Sequence, residues 1–373
     1  MLIPADDYPI HQSSLPLAQA EGGHVDFYDR YFMNGYTEDC YFALAFGTYP
    51  NRGVVDAAFA VVADGVQRSV IASGRAPWDR AVTEIGPIRF EILEPMRTLR
   101  LTVDSPEHGL SADLTFTTGT PACEEERQLR YVGPRRVMDV TRATQLGRWH
   151  GSLSSGGSQY TAGARGSFLG TKDHSWGVRH VGDPAPMAPV PGEHQLYFVW
   201  TPLHFDNECL HAMVFQDGDG VPWSETGVLM QPLAPLASPV GPSLPIAHLA
   251  SIRHEVDWAL GLRRSRGGRV FLRRRPGDEE EVIHLEPLLN FRMSGIGYAH
   301  PTYKHGRWHD ELVTFGEAFD VADLDNVDPR NIHVQQVVRA EWNGRVGLGI
   351  FEQMAMGRHA PSGFGDDLAG YAG

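Results

Sequence analysis

The spacing of the apolar residues limits what this chain can fold into more than any other feature, and that spacing is two rather than helical. In RTLRLTVD, Leu99, Leu101 and Val103 alternate with Thr98, Arg100 and Thr102. After the turn SPEHG the alternation resumes at Leu110, Ala112, Leu114 and Phe116. Successive side chains of a strand point to opposite faces, so this pair reads as a β-hairpin with one face buried. Similar runs occupy 55–63, 88–93, 195–201, 210–216, 252–262 and 346–353. Gly, Pro, Asn or Asp punctuates the gaps, as in DGDG at 217–220 and RRPGDEEE at 274–281. No amphipathic pattern exceeds three helical turns. Glycine (41) and proline (26) make up about 18% of the chain, above an average near 12%, without a collagen-like period. The chain is predicted to be mainly β, in barrels or sandwiches.

The stretch DPAPMAPVPG at 183–192 carries four prolines and precedes a strongly apolar strand. Proline cannot donate to a β-ladder, so the stretch reads as an extended linker. A boundary there gives an N-terminal β domain over 1–185 and a C-terminal one over 193–360. Residues 361–373, ending GFGDDLAGYAG, read as a frayed tail. A second proline-rich stretch, 232–245, reads as a long surface loop or lid inside the C-terminal half.

Charge narrows the partners. Thirty-two basic residues against 46 acidic ones give a formal net charge of −14. Binding phosphate backbones or anionic membranes needs concentrated Lys and Arg, so neither nucleic acid nor a membrane surface is an expected partner. No apolar run is long enough for a transmembrane helix. The start MLIPADDYPIHQ lacks a basic region and an apolar core, so no signal peptide is read. Cys40, Cys123 and Cys209 are scattered and odd in number, which predicts neither a disulfide framework nor a zinc site and points to a reducing cytoplasm. Lys172 and Lys304 are the only lysines among the 32 basic residues, a bias that a GC-rich genome accounts for.

The densest cluster of chemically capable residues is GTKDHSWGVRH at 170–180. On a strand, Asp173 and Ser175 would share one face and His174 and Trp176 the other. A carboxyl group desolvated among aromatics has a raised pKa and can donate a proton near neutrality. The structural alternative is that Asp173 caps a turn or pairs with Arg179 while Trp176 plugs a core. A second cluster, GYAHPTYKHGRWHDE at 297–311, holds His300, His305 and His309 with Tyr298, Tyr303 and Trp308. Three histidines invite a metal, but Pro301 and Gly306 oppose a helix there and no H-E-x-x-H core exists, so no metal is expected. No G-x-S-x-G elbow or phosphate-cradling loop occurs either, and the glycines of GRVGLGIFEQ lie within a strand pattern. No cofactor is therefore expected.

The DHSWG segment resembles the central motif of the AttH-like and carotenoid 1,2-hydratase group of lipocalin-like proteins, in which Gly-x-x-Tyr-x-Asp-His-x-Trp-Gly recurs. GIGYAHPTYKHGRWHDEL and GIFEQMAMGRHAPSGF resemble a bacterial branch of that group. The resemblance implies two consecutive lipocalin-like β-barrels. It also implies that Asp173 takes the place of an aspartate that protonates a carbon–carbon double bond, and Trp176 that of the motif tryptophan. Thr171 departs from the pattern, which has a tyrosine there, and supplies no π face.

These observations lead to a cofactor-independent lyase or isomerase, of hydratase or cyclase type, acting on a lipophilic isoprenoid or polycyclic substrate. Asp173 would be the general acid, with His300 or Glu352 as base or water-positioning partner. Trp176, His174, Trp200, Tyr298, Trp308 and His305 would line the substrate site. One alternative is a non-catalytic binding protein for a hydrophobic small molecule; another is a hydrolase using the histidine cluster.

Overall fold

The computed structural model describes residues 1–10, 12–20, 22–160, 167–184, 188, 195–325, 327–366 and 368–373. Those residues form two curled antiparallel sheets with only short 3-10 turns between strands, so the protein is mainly β with two lipocalin-like halves. The first sheet runs in the order Leu312–Asp320, Val66–Arg75, Val54–Ala63, Cys40–Tyr49, Phe27–Tyr36, Phe168–Arg179, Arg135–Ser155, Leu110–Thr118, Thr98–Ser105, Ile88–Glu94 and Glu84–Ile85. The second runs Ile246–His248, Pro222–Met230, Cys209–Gln216, Leu196–His204, Arg345–Met356, Val334–Trp342, Glu281–Arg292, Ser265–Arg273 and Ser251–Trp258.

Alternation assigns each strand two destinations. Phe42, Leu44 and Phe46 enter the interior of the first sheet with Phe59, Leu101, Leu114 and Trp149. Their neighbours Tyr41, Ala43 and Ala45 face outward, where Ala58, Ala60 and Val62 join them against Phe198, Trp200, Met213 and Phe215 of the second sheet. Tyr197, Val199, Leu210 and Ala212 meanwhile fill the second sheet's own interior. The runs that read as continuously apolar are thus strands buried on both faces. Alanine at 43, 45, 58 and 60 leaves room for the larger side chains of the opposing sheet.

Three segments tie the halves together. Leu312–Asp320, although late in the chain, adds to the outer edge of the first sheet beside Val66–Arg75. The side-chain amide of Gln67 donates to the Arg292 carbonyl at 2.8 Å and accepts from its N–H at 2.9 Å. The proline-rich loop 232–245 docks on the first sheet, with Leu233 N–H to Gly119 C=O at 2.9 Å and Ala122 N–H to Pro239 C=O at 2.8 Å. Most of the expected linker, at 185–187 and 189–192, lies outside the described residues.

Two expectations change. The strand expected over 252–262 ends at Trp258, because the chain turns there with Ala259 N–H bonded to Arg264 C=O. The stretch after 361 is not a frayed end where Phe364 sits: that ring is buried edge-on against Trp258, with the Arg263 guanidinium 4.3 Å from its centroid. An apolar anchor and a backbone bond from Tyr371 N–H to Leu262 C=O hold it down. Cys40, Cys123 and Cys209 are buried free thiols. No helix among the described residues is long and apolar enough to cross a membrane.

Replacing Ala60 with leucine should force apart two sheets that meet at a fully buried position. Overpacking of this kind costs about 1–3 kcal/mol, which urea denaturation would register as a lower midpoint with an unchanged slope.

Candidate functional site

Phe168–Arg179 lies between Phe27–Tyr36 and Arg135–Ser155, so its side chains are flanked from two strands. Asp173 stands opposite Phe32 and Thr144, and Ser175 opposite Arg30 and Arg142. One face of this patch therefore presents the row Arg30–Ser175–Arg142 next to Asp173. Gly177 makes the close approach of the strands here: at φ +134°, a Cβ would lie 2.1 Å from the Asp139 carbonyl oxygen.

Above this patch the sheets separate around a cavity of about 710 Å³. Its floor is Phe32, Asp173, Ser175 and Arg142; Phe198, Trp200, Glu352 and Met354 from the second sheet roof it. Tyr298 and His305, from the loop after the turn Met293–Ile296, close one side.

Asp173 is 7% exposed and receives no hydrogen bond from any described residue. Its Oδ2 lies 3.1 Å from Arg142 Nε, but the Nε–H is not directed at it. Burial pushes the carboxyl up to about 6; Arg142 and Arg179 pull it down, while Glu125 and Glu352 add to the rise. Glu125, bound to the same arginine, behaves oppositely. Burial raises it too, but Arg142, His211 Nε2 at 2.8 Å and Thr144 Oγ1 at 2.8 Å outweigh that and hold it near 2. Hydrogen bonds to the charged form decide the difference.

Glu352 is bonded by His333 Nε2 and by Gln335 Nε2 at 2.6 Å. The Gln335 carbonyl oxygen in turn accepts from Tyr41 Oη and Asn34 Nδ2 of the first sheet. On the Tyr298 side, Arg30 donates from a terminal nitrogen to His305 Nε2 at 2.8 Å. Arginine only donates, so Nε2 is the acceptor and the ring proton is on Nδ1, 3.5 Å from Asp56 Oδ1. Burial and the Arg30 cation pull His305 down to about 4, consistent with a neutral ring. Asp56 also accepts from Gly306 N–H at 2.6 Å and Tyr49 Oη at 3.2 Å.

Of the residues expected from sequence, Asp173, Glu352, Trp200, Tyr298 and His305 converge on the cavity. His174 and Trp176 do not, because strand alternation turns them to the other face. His174 stacks on Tyr31 at 3.9 Å and bonds Asp29 at 2.8 Å, beside a separate hollow of about 190 Å³. Lys172 shares that hollow, its ammonium pulled down to about 8 by burial. Trp176 is 37% exposed. His300 accepts from Tyr303 N–H and packs on Phe315, and Trp308 is 45% exposed beneath the Arg75 guanidinium. His309 packs on the Tyr303 ring, 4.8 Å between centroids, and no group of three His, Cys, Asp or Glu side chains able to hold a metal ion occurs among the described residues. Sequence inspection missed Arg30, Arg142, Glu125, His333 and Gln335. A usable signal existed: Arg30 and Arg142 are charges at the outward parity, which they share with Tyr28 and Phe32 on one strand and Val140 and Leu146 on the other.

Two lipocalin-like sheets enclosing an acid- and arginine-lined cavity define the class. Residues 2–365 match the family of unknown function DUF8625, and the chain belongs to that family. No curated protein matches it in sequence. A solved chain from Nitrosomonas europaea, described as a "putative AttH", is similar in structure with a TM-score of 0.51 at 13% identity. The match covers 92% of this chain and 97% of that one, and it establishes an AttH-like fold.

Asp56→Ala would strip acceptors from Gly306 N–H, Tyr49 Oη and the His305 ring while leaving them buried. Unsatisfied buried donors cost about 1–3 kcal/mol each, so thermal unfolding should shift down by several degrees. Asp56→Asn should recover part of the loss.

Proposed function

We propose that the inter-sheet cavity is the site of a cofactor-independent lyase or isomerase reaction on a lipophilic substrate, with Asp173 as the proton-transfer group. The observation that carries this is a carboxyl raised to about 6, without a hydrogen bond from any described residue, on the wall of a cavity large enough for a small organic molecule. A proton needed by the substrate is then available at the cavity surface instead of being locked in a capped turn. Trp200 and Phe198 give the substrate flat apolar faces and attract positive charge that develops on it. Glu352, held by His333 and Gln335, is placed on the opposite sheet to receive a proton or orient a water. The resemblance of DHSWG to the hydratase motif agrees with an acid at Asp173, and in this reading Trp200, on the cavity wall, takes the aromatic role that the motif gives to Trp176.

Incubating the protein with a panel of terpenoid and steroid alkenes and following products by mass spectrometry tests this. Asp173→Asn should keep binding, measured by tryptophan fluorescence, and lose at least about a hundredfold in turnover, the lower range of a general acid's contribution. Binding by the wild-type protein without turnover of any panel member would instead make it a carrier.

The pH profile is a separate check. Asp173 is faced by Arg142 from the neighbouring strand, Arg179 from its own, and the carboxylates of Glu125 and Glu352. Because the protonated form is the donor, activity should be highest below about pH 6 and fall about tenfold per unit above it.

A further inference from the structure

Two guanidiniums on the Tyr298 side of the cavity have no anionic partner among the described residues. Arg30 is 2% exposed; one terminal nitrogen bonds the neutral His305 ring, its charge rests 4.6 Å above the Tyr298 ring, and its Nε has no partner. Arg179 stacks on Tyr28 at 4.9 Å and reaches the Tyr298 hydroxyl at 3.5 Å. The neighbouring acids are engaged elsewhere: Asp173 and Glu125 with Arg142, Glu352 with His333, and Asp56 with Gly306, Tyr49 and His305. Aromatic faces and a neutral imidazole hold these arginines in place but do not neutralise them. A desolvated charge without a counter-charge is costly, and the fold nevertheless keeps two of them at the wall of an open cavity. Lys304, also on that wall, adds to the positive potential.

We infer that the cavity takes a lipophilic carboxylic acid in its ionised form, its carboxylate gripped by Arg30 and Arg179 beside Tyr298 and its apolar body lying along Phe198 and Trp200 towards Asp173. The planar donor fork of arginine matches a carboxylate. The apolar wall of Phe32, Met138, Phe198, Trp200 and Met354 matches the hydrocarbon. Tyr298 registers the same field: burial pushes its phenol up, yet Arg30 and Arg179 outweigh burial and bring it below its usual value. An anion bound there also offsets positive potential that would otherwise oppose cationic character near Asp173. The inference rests on the cavity being the binding site, and not on Asp173 acting as an acid.

Isothermal titration calorimetry with farnesoic acid and its neutral methyl ester is the test, on the full chain and on Arg30→Met and Arg179→Met. The acid should bind the wild-type protein at least about tenfold more tightly than the ester, as expected for charge-assisted hydrogen bonds. Each variant should lose most of that preference while keeping the ester's affinity, which doubles as the check that the variant is folded. Should Arg30→Met fail that check, Arg179→Met and the wild-type comparison decide. Equal affinity for acid and ester, or a preference that survives in the folded variants, overturns the inference and leaves the role of Asp173 standing. If neither compound binds, the inference falls together with the assignment of the cavity to isoprenoid ligands.

Discussion

Burial of both faces of the same strands is the constraint on which the rest of the molecule depends. Each sheet curls around its own apolar interior, but the outer faces of Cys40–Tyr49, Val54–Ala63, Leu196–His204 and Cys209–Gln216 are buried as well, against the other half. Where the outward positions are alanines facing large side chains, the sheets close completely. A little further along the same face the outward row is Arg30, Ser175 and Arg142, and there the sheets stand apart around the cavity. The cavity is therefore an interruption in an otherwise closed interface, formed where polar residues take positions that alanines hold further along the same face.

That origin explains the electrostatics. Groups in the gap have lost most of their water, so their protonation is set by the neighbours that the two sheets supply. Arg142 lies within ion-pairing distance of two carboxylates, yet Glu125 is held ionised and Asp173 is pushed up. Four hydrogen-bond donors surround Glu125, Arg142 Nη1 among them, whereas the Nε–H that the same arginine holds near Asp173 is not aimed at it. Both carboxylates sit in the field of Arg142, the strongest influence lowering either of them; the hydrogen bonds from His211 and Thr144 are what Glu125 has in addition and Asp173 lacks. On the other side of the cavity the imbalance reverses, with cations exceeding anions, so one cavity combines a carboxyl of raised pKa with a positive wall.

Much of the architecture was legible in the chain. Alternation at 98–103 and 110–116 marked the hairpin, and the same rule placed Asp173 and Ser175 on one face with His174 and Trp176 on the other. That separation removed Trp176 and His174 from the site that the DHSWG cluster suggested, because residues adjacent in a strand cannot share a face. Trp308 and His300 were placed with the site only because they neighbour Tyr298 and His305 in sequence; the loop turns them outward or into a separate packing cluster. The late strand Leu312–Asp320 gave no local sign that its partner would be Val66–Arg75, since pairing partners 240 or so residues apart leave no trace in periodicity.

Local chemistry in the sequence thus determined that the chain is β, where most of its turns fall, and which way Asp173 points within its strand. These properties follow from hydrogen-bonding and side-chain parity over a few residues. Only the tertiary structure decided that Arg142 and Glu125 gather beside Asp173, that Arg30, His333 and Glu352 line the same cavity, and that Trp200 rather than Trp176 lines it with them. Those contacts join strands from both sheets. Their energies come from how two surfaces fit when brought together, and no segment carries that information on its own.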